Sequence, residues 1–185
     1  MSDNLEPHEE RLAVLLARQG DRAALSRLID AYDRRLLYFV RRILGDSDRS
    51  LDVLQSVWLT VHRKLRHLDS VDAFRVWLYR IAHNHAVSEV RKASREPAFV
   101  ECIEAVPQES VADVDEAEFE NAELVHTALE RLSIDHRRVL VLRFLEEMTI
   151  EEIAEVIGCP AGTVKSRLHY AKYALRRQIE EQFHD

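Results

Sequence analysis

The stretch TIEEIAEVIGCPAGTVKSRLHYAKYALRR, from Thr149 to Arg177, predicts two amphipathic helices joined by a tight turn. Thr149 and Glu152 have the spacing of a capping box, in which each side chain accepts a hydrogen bond from the backbone N–H of the other residue. Apolar residues then recur at i, i+3, i+4 and i+7, the spacing of one helix face, and they are Ile150, Ile153, Ala154 and Ile157. Gly158 ends the first helix, and Pro160 stands at the first turn of the second, where its missing N–H costs little.

The second helix carries charge of one sign. Its expected buried stripe consists of Val164, Leu168, Ala171 and Leu175. From Pro160 to Gln178 the chain has basic residues and no acidic one, whereas a solvated helix face usually mixes both signs. A short helix, a turn with glycine and a basic second helix are typical of a helix-turn-helix that binds DNA. The residues expected to contact DNA are Thr163, Lys165, Ser166, Arg167, His169 and Lys172, with Ser166 and Arg167 placed for base edges.

The composition favours an all-α protein that functions in the cytoplasm. The 185 residues include only four glycines and four prolines, and no long alternating strand pattern is present. The longest apolar runs, such as LLYFV at 36–40, are too short to span a bilayer, and the acidic N-terminus MSDNLEPHEE does not resemble a secretory signal. Two distant cysteines suggest neither a disulfide framework nor a zinc site. We expect no metal, no cofactor and no catalysis, since no phosphate loop and no nucleophile–base pair is evident.

The net charge of −7 is distributed unevenly along the chain. Residues 97–121 hold eight acidic residues and no basic one, so the flanking segments can be basic locally. The sequence therefore predicts two small helical domains, 1–96 and 121–185, joined by an acidic flexible linker, 97–120. The expected helices are 8–19, 21–45, 49–66 and 70–96 in the first domain and 121–132, 135–146, 149–157 and 160–183 in the second.

The segment DAFRVWLYRIAHNHAVSEVRKASR, at 72–95, mixes aromatic and basic residues. Aromatic rings can stack on unpaired bases while cations hold the backbone, which is how proteins capture single-stranded nucleic acid. Phe74, Trp77, Leu78 and Ile81 also obey the spacing of a buried helix face. Periodicity alone therefore predicts a helical bundle with a basic face, in which Trp77 and Leu78 belong to the core.

Three motifs in this order resemble the bacterial RNA polymerase sigma factors of the extracytoplasmic-function (ECF) group. They are D-x-x-Q at 52–55, W-L-Y-R-I-A-x-N at 77–84, and E-E-I-A…G-T-V-K-S-R-L at 151–168. The resemblance extends from about residue 22 to residue 180. It implies a region-two domain, a region-four helix-turn-helix domain and a function in promoter-specific initiation of transcription.

The resemblance also implies roles for particular residues. Core polymerase would be bound at its β′ clamp by Asp52, Gln55 and Ser56. The minus-ten element would be recognised and opened by His67, Asp69, Ser70, Arg75, Trp77, Arg80, His83, Asn84 and Arg91. The loop at 67–72 would hold a flipped-out base. The second domain would read the minus-thirty-five element and meet the β flap, and the acidic linker would pass near the RNA path. The resemblance further implies an anti-sigma partner and no stable membrane insertion.

Several positions differ from the pattern of these sigma factors. His83 and Tyr170 stand where the group usually has basic residues, and Ser88 stands where it often has aspartate. His83 and His85 are two residues apart on the predicted helix, a rotation of about 200° that prevents them from binding one metal together. We therefore expect both imidazoles to face solvent or DNA. On that basis DNA affinity should rise below about pH 6.5 as these imidazoles become charged. The alternative function is a stand-alone dimeric helix-turn-helix regulator that binds a palindromic operator without polymerase.

Overall fold

The structure, a computed structural model, describes residues 5–93 and 122–182. These residues fall into two compact units, one formed mainly by the first range and the other mainly by the second. Each described unit is built of helices, which confirms the predicted all-α fold with two small domains. The predicted linker, 97–120, lies outside the described residues.

The N-terminal unit contains four α-helices and two short 3-10 turns. The helices are α1 (Pro7–Arg18), α2 (Arg22–Leu44), α3 (Ser47–Lys64) and α4 (Phe74–Ala93), and the 3-10 turns are Leu65–His67 and Val71–Ala73. Asp21 caps α2 by accepting hydrogen bonds from the N–H groups of Ala23 and Ala24. Gly45 ends α2 with a φ of 68°, a left-handed conformation that glycine adopts without steric cost.

Helix α4 is packed against both α2 and α3, while α1 covers α2. The fully buried large side chains of this unit include Val14, Leu28, Leu36, Phe39, Val40, Val57, Val61, Phe74, Leu78 and Tyr79. The rings of Phe39 and Tyr79 meet edge to face with centroids 5.4 Å apart, and Tyr32 meets Phe74 in the same way at 5.7 Å. The indole Nε1 of Trp58 donates to Asp33 at 2.8 Å and joins α3 to α2.

The described part of the C-terminal unit also contains four α-helices. They are α5 (Ala122–Glu130), α6 (Ile134–Leu140), α7 (Ile150–Ile157) and α8 (Ala161–Gln182). Helix α6 continues into a π-helical turn, Val141–Leu145, and α5 and α6 both pack against α8. The core of this unit includes Ala128, Val139, Val141, Leu142, Met148, Ile153, Val156, Val164 and Ala171.

The expected helix boundaries agree with the structure to within about two residues at most ends. Two differences have local causes. Helix α4 begins at Phe74 rather than near 70, because Ser70 caps a separate 3-10 turn by accepting from the N–H of Asp72. The expected helix at 135–146 changes to π-helical geometry after Leu140. The chain then turns at Glu147, which has a φ of 51°, and the guanidinium of Arg143 donates to the carbonyl of Met148 at 3.0 Å.

None of the helices in the described ranges is long and apolar enough to cross a membrane.

Candidate nucleic-acid and polymerase interfaces

The turn between α7 and α8 has the geometry expected from its sequence. The Oγ1 of Thr149 accepts from the N–H of Glu152 at 3.2 Å, and the Oε2 of Glu152 accepts from the N–H of Thr149 at 2.8 Å. This confirms the capping box. Gly158 ends α7 with a φ of 75°, and α8 begins directly after Pro160, whose carbonyl accepts from Thr163 and Val164. The capping box, Gly158 and Pro160 therefore lie at the ends of α7 and α8 as the sequence predicts.

Helix α8 separates a buried stripe from an accessible face. The predicted stripe is confirmed, since Val164, Leu168, Ala171 and Leu175 are all buried. Lys165 and Ser166 are exposed, whereas Thr163, His169 and Lys172 are half-buried. The Nζ of Lys172 lies 5.3 Å from the ring centroid of Phe144 on the π-helical turn. The accessible face therefore keeps five of the six residues that the sequence assigned to DNA contact.

Arg167 is the exception among those six residues. Its side chain is only 15% exposed, and its Nη2 lies 3.5 Å from the Oδ2 of Asp135 on α6. In this structure the guanidinium of Arg167 is therefore directed towards Asp135 rather than presented to base edges, and its contact with DNA stays a prediction. This pairing was not predictable from local sequence patterns, because 32 positions separate the two residues.

The C-terminal end of α8 is less basic than its sequence suggests. Arg176 pairs with Glu180 at 3.4 Å, and Arg177 pairs with Glu181 at 2.8 Å, both at i,i+4 spacing. These acidic residues come just after the segment without acidic residues and partly neutralise it. The positive charge that α8 offers to a DNA duplex is therefore carried mainly by Lys165 and Lys172.

Helix α4 presents one continuous ridge. Trp77, Arg80, Asn84 and Arg91 follow spacings of three, four and seven residues, which place their side chains on one face of the helix. Arg80, Asn84 and Arg91 are exposed, and Trp77 is half-buried, with its ring centroid 6.2 Å from that of Phe74. Ser88, which is also exposed, lies on the same ridge.

A second set of side chains on α4 belongs to the core. Phe74 and Tyr79 are fully buried, so neither ring is accessible for stacking on a base. His83 is 5% exposed, and the expectation that it faces solvent or DNA is wrong. The physical reason is that α4 is covered by two helices, so a wider arc of its surface is buried than one apolar stripe indicates. Arg75 is half-buried at the N-terminal end of the same helix.

His85 is also constrained by its surroundings. The imidazole Nε2 lies 3.0 Å from the Oγ1 of Thr60, whose hydroxyl group donates to the carbonyl of Ser56. Burial, together with the charges of Lys64 and Lys92, lowers the pKa of His85 below its usual value of 6.5. His85 therefore becomes charged only at a lower pH than an exposed imidazole does, and the dependence of DNA affinity on pH stays a prediction.

The turns before α4 form an ordered surface. His67, Asp69 and Ser70 are all exposed there, and the Nε2 of His67 accepts from Arg66 at 3.0 Å. Asp72 pairs with Arg11 of α1 at 3.0 Å, a contact that the sequence analysis did not anticipate. This ion pair fastens the loop at 67–72 to the first helix.

The outer face of α3 combines polar and apolar side chains. Asp52, Gln55 and Ser56 are exposed as expected. Leu51 and Leu59 lie on the same face and are 49% and 50% exposed, although the sequence analysis did not single them out. Leu51, Gln55 and Leu59 are each four residues apart, and this spacing was the available signal.

A metal centre has no support in the residues described. Within residues 5–93 and 122–182 there is no group of three or more His, Cys, Asp or Glu side chains arranged to hold a metal ion.

Comparison with known families assigns both units. Residues 28–96 match the family described as Sigma-70 region 2, and residues 122–175 match Sigma-70, region 4. The ECF RNA polymerase sigma-E factor of Escherichia coli strain K12 is 30% identical over 181 residues, which cover 92% of this chain and 94% of that protein. The chain belongs to the ECF group of RNA polymerase sigma factors. As an alternative sigma factor, it directs promoter-specific initiation of transcription.

Other RNA polymerase sigma factors are similar over nearly their full length. SigW of Bacillus subtilis is 29% identical, with 89% of this chain and 93% of that protein covered. The sigma-H factor of Pseudomonas aeruginosa is 29% identical, with 95% and 96% covered. The alternative of a stand-alone regulator is not favoured by these matches.

Solved structures share the fold of this ECF sigma factor. CnrH, solved in complex with the cytosolic domain of CnrY, superimposes with a TM-score of 0.66 at 22% identity, covering 94% of this chain and 98% of CnrH. The sigma factor RpoE of Bartonella quintana, solved with the anti-sigma factor NepR, gives 0.65 at 23% identity, with 84% and 96% covered.

Proposed function

We propose that this sigma factor binds core RNA polymerase through the outer face of α3 and reads the two promoter elements through α4 and α8. Region two, in the N-terminal unit, would recognise and open the minus-ten element. Region four, in the C-terminal unit, would read the minus-thirty-five element in duplex form and meet the β flap. The observation that carries this division of roles is the difference in charge and polarity between the accessible faces of the three helices.

The face of α3 suits a protein partner better than DNA. Residues 51–59 include one acidic residue and no basic one, so this face offers no positive charge to the phosphate backbone of DNA. Two half-exposed leucines, Leu51 and Leu59, flank the polar groups of Asp52, Gln55 and Ser56. Apolar anchors with polar groups between them are typical of protein–protein interfaces. We assign this face to the β′ clamp of polymerase.

The ridge of α4 suits an unpaired DNA strand. Arg80 and Arg91 provide positive charge, Asn84 provides an amide that can both donate and accept, and Trp77 provides a partly accessible ring. The ordered turns that carry His67, Asp69 and Ser70 precede the ridge directly, and Arg75 lies at its start. In this proposal Trp77 supports strand separation, while the other side chains of the ridge hold the separated strand.

The accessible face of α8 suits a DNA duplex. Lys165 and Lys172 would bind phosphates, while Ser166, near the start of the helix and opposite its buried stripe, would point at base edges in the major groove. Thr163 and His169 lie beside Ser166 on the same face. Arg167 is left out of this face because it is paired with Asp135.

The partners and the location follow from the same proposal. CnrH and RpoE were solved with CnrY and with the anti-sigma factor NepR, and we propose that an anti-sigma factor also holds the present chain inactive. We place the protein in the cytoplasm, where polymerase and promoter DNA meet. We assign the catalysis of RNA synthesis to polymerase and none to this chain.

The test is binding of the full chain to sigma-free core polymerase on a sizing column. Wild type is expected to co-elute, and Asp52→Ala is expected to co-elute weakly or not at all. The matched control is Asp30→Ala, which removes an exposed aspartate from α2 and should leave co-elution unchanged. Equal co-elution of both variants would remove α3 from the polymerase interface. A wild-type chain that binds duplex DNA as a dimer and never co-elutes would favour the stand-alone regulator.

A further inference from the structure

We propose that Arg11 of α1 is a positioning residue for the loop at 67–72, which it holds by a two-point contact with Asp72 in the form that receives a base of the minus-ten element. The proposal rests on the proposed function, which assigns this loop to promoter DNA. It adds α1, a helix to which no contact with DNA or polymerase is assigned, to the determinants of promoter specificity.

The exposed middle of the loop lies between two anchors. Leu68 is buried and forms the first anchor, whereas Asp69 and Ser70 are both exposed. Asp72 forms the second anchor through its contact with α1. A short exposed segment with few buried contacts opens at little cost in free energy. The form in which the loop meets a base therefore depends on how firmly Asp72 is held.

Arg11 and Asp72 meet at two points. The Nε of Arg11 lies 3.0 Å from the Oδ1 of Asp72, and the Nη2 of Arg11 donates to the Oδ2 of Asp72 at 3.3 Å. A guanidinium that binds a carboxylate in this way fixes its orientation as well as its distance. The two side chains are 61% and 63% exposed, so the pair adds little to the stability of the folded unit. Its effect is therefore expected on the orientation of the loop and not on folding.

Asp72 passes this constraint to Ser70. The backbone N–H of Asp72 donates to the Oγ of Ser70 at 3.3 Å, and the N–H of Ala73 donates to the carbonyl of Ser70 at 3.2 Å. Because the Oγ accepts in this contact, the hydroxyl hydrogen of Ser70 stays available for an acceptor atom of a base. Holding Asp72 therefore also holds a hydrogen-bond donor in the exposed part of the loop.

Helix α1 is a firm support for Arg11. The hydroxyl of Tyr32, a core residue of α2, donates to the Oε2 of Glu10 at 2.7 Å. Burial, together with the carboxylate of Glu10, raises the pKa of Tyr32, so the hydroxyl stays protonated and keeps donating. Ala13 and Val14 are fully buried, and α1 packs against both 3-10 turns that flank the loop. Arg11 therefore projects from a helix that is fixed to the core next to the loop.

Removal of either partner would release the loop, but the two removals change the surface charge in opposite directions. Arg11→Ala removes a positive charge and should weaken the general attraction to phosphates, whereas Asp72→Ala removes a negative charge and should strengthen it. Release of the loop is common to both variants. A loss of discrimination at the same base in both variants would therefore not be explained by charge.

The experiment uses holoenzyme reconstituted from the full chain and core polymerase. The probes are fragments of a promoter selected from a random library, with a single-stranded minus-ten element that lacks one base at a time. Fluorescence anisotropy gives the affinity for each probe, and the ratio of the complete probe to each incomplete one measures the contribution of that base. Ser70→Ala identifies the base that the loop holds, as the one whose ratio falls.

Arg11→Ala and Asp72→Ala are each expected to reduce the ratio at that base by about 2- to 5-fold and to leave the other ratios unchanged. The double variant should lose no more than either single variant, because both remove the same contact. The matched control is Arg22→Ala, which removes an exposed arginine from α2 and should leave every ratio unchanged.

Three results would overturn the proposal. The first is a folded Arg11→Ala variant with the wild-type ratio at the base that Ser70→Ala identifies. The second is a double variant in which the two losses add, which would mean that Arg11 and Asp72 act independently. The third is a loss spread evenly over all bases. Circular dichroism checks folding. If Arg11→Ala does not fold, an unchanged ratio in Asp72→Ala is equally decisive against the proposal.

Failure of the proposed function would look different. In that case the loop would hold no base, and Ser70→Ala would leave every ratio of the holoenzyme at its wild-type value.

Discussion

Helices α4 and α8 both carry the basic residues that we assign to promoter DNA, but they are buried to different extents. Helix α8 buries one narrow stripe against α5 and α6, and most of its predicted contact residues remain accessible. Helix α4 is covered by α2 and α3, and its buried residues include Phe74, Tyr79 and His83. Each helix packs against two neighbours, so the difference lies in how much of its circumference those neighbours cover, and this decides which of its side chains nucleic acid can reach.

The largest expected effect separates core from contact within α4. Phe74→Ala should reduce the free energy of unfolding of the N-terminal unit by about 3–5 kcal/mol, because it removes a fully buried ring. Trp77→Ala, at a half-buried position, should cost less stability and should reduce promoter opening more. Denaturant unfolding followed by circular dichroism measures the first effect. Equal destabilisation by the two substitutions would place Trp77 in the core with Phe74.

A smaller effect is expected at the cap of α7. Thr149→Ala removes the Oγ1 that accepts from Glu152 and should lower the free energy of unfolding of the C-terminal unit by about 1 kcal/mol. Binding to the upstream duplex should weaken through loss of the folded unit, while co-elution with core polymerase through α3 should persist. Thr149→Ser, which keeps a hydroxyl, is the matched control. Loss of polymerase binding in Thr149→Ala with the control intact would contradict the separation of the two units.

The smallest effect concerns pH. The pKa of His85 is lower in the folded protein than in the unfolded chain, where it is about 6.5. The neutral imidazole of His85 therefore contributes to stability above pH 6.5. This contribution is lost as the pH falls through the pKa that His85 has in the folded protein. The N-terminal unit should therefore unfold more easily as the pH falls below about 6.5, and His85→Gln should weaken this dependence. Thermal unfolding from pH 8 to pH 5 is the measurement. A dependence of stability on pH that is the same in His85→Gln as in wild type would contradict this assignment to His85.

Local signals predicted the helix-turn-helix well and the surface of α4 only in part. The capping box at Thr149, Gly158 at the turn and the stripe from Val164 to Leu175 are set by residues close in sequence, so the sequence alone predicts them. The burial of His83 depends on helices distant in the sequence, and apolar periodicity does not report how many neighbours a helix has.

The ion pairs that shape the candidate interfaces were not predictable from the sequence. The Asp135–Arg167 pair and the Arg11–Asp72 pair join positions far apart in the chain, and charged residues give no periodic signal for such contacts. The exposed leucines of α3 were within reach of the sequence analysis. Leu51 and Leu59 share a face with Asp52, and the periodicity of that face could have identified them.

The most direct test of the central claim is strand opening by the reconstituted holoenzyme on a promoter selected from a random library. Permanganate reactivity of unpaired thymines reports opening, and a nuclease footprint reports upstream binding. Trp77→Ala is expected to lose opening and keep the upstream footprint, whereas Ser166→Ala should weaken the footprint first. The reverse assignment, with Trp77→Ala losing the upstream footprint and Ser166→Ala losing only the opening, would contradict the division of promoter recognition between α4 and α8.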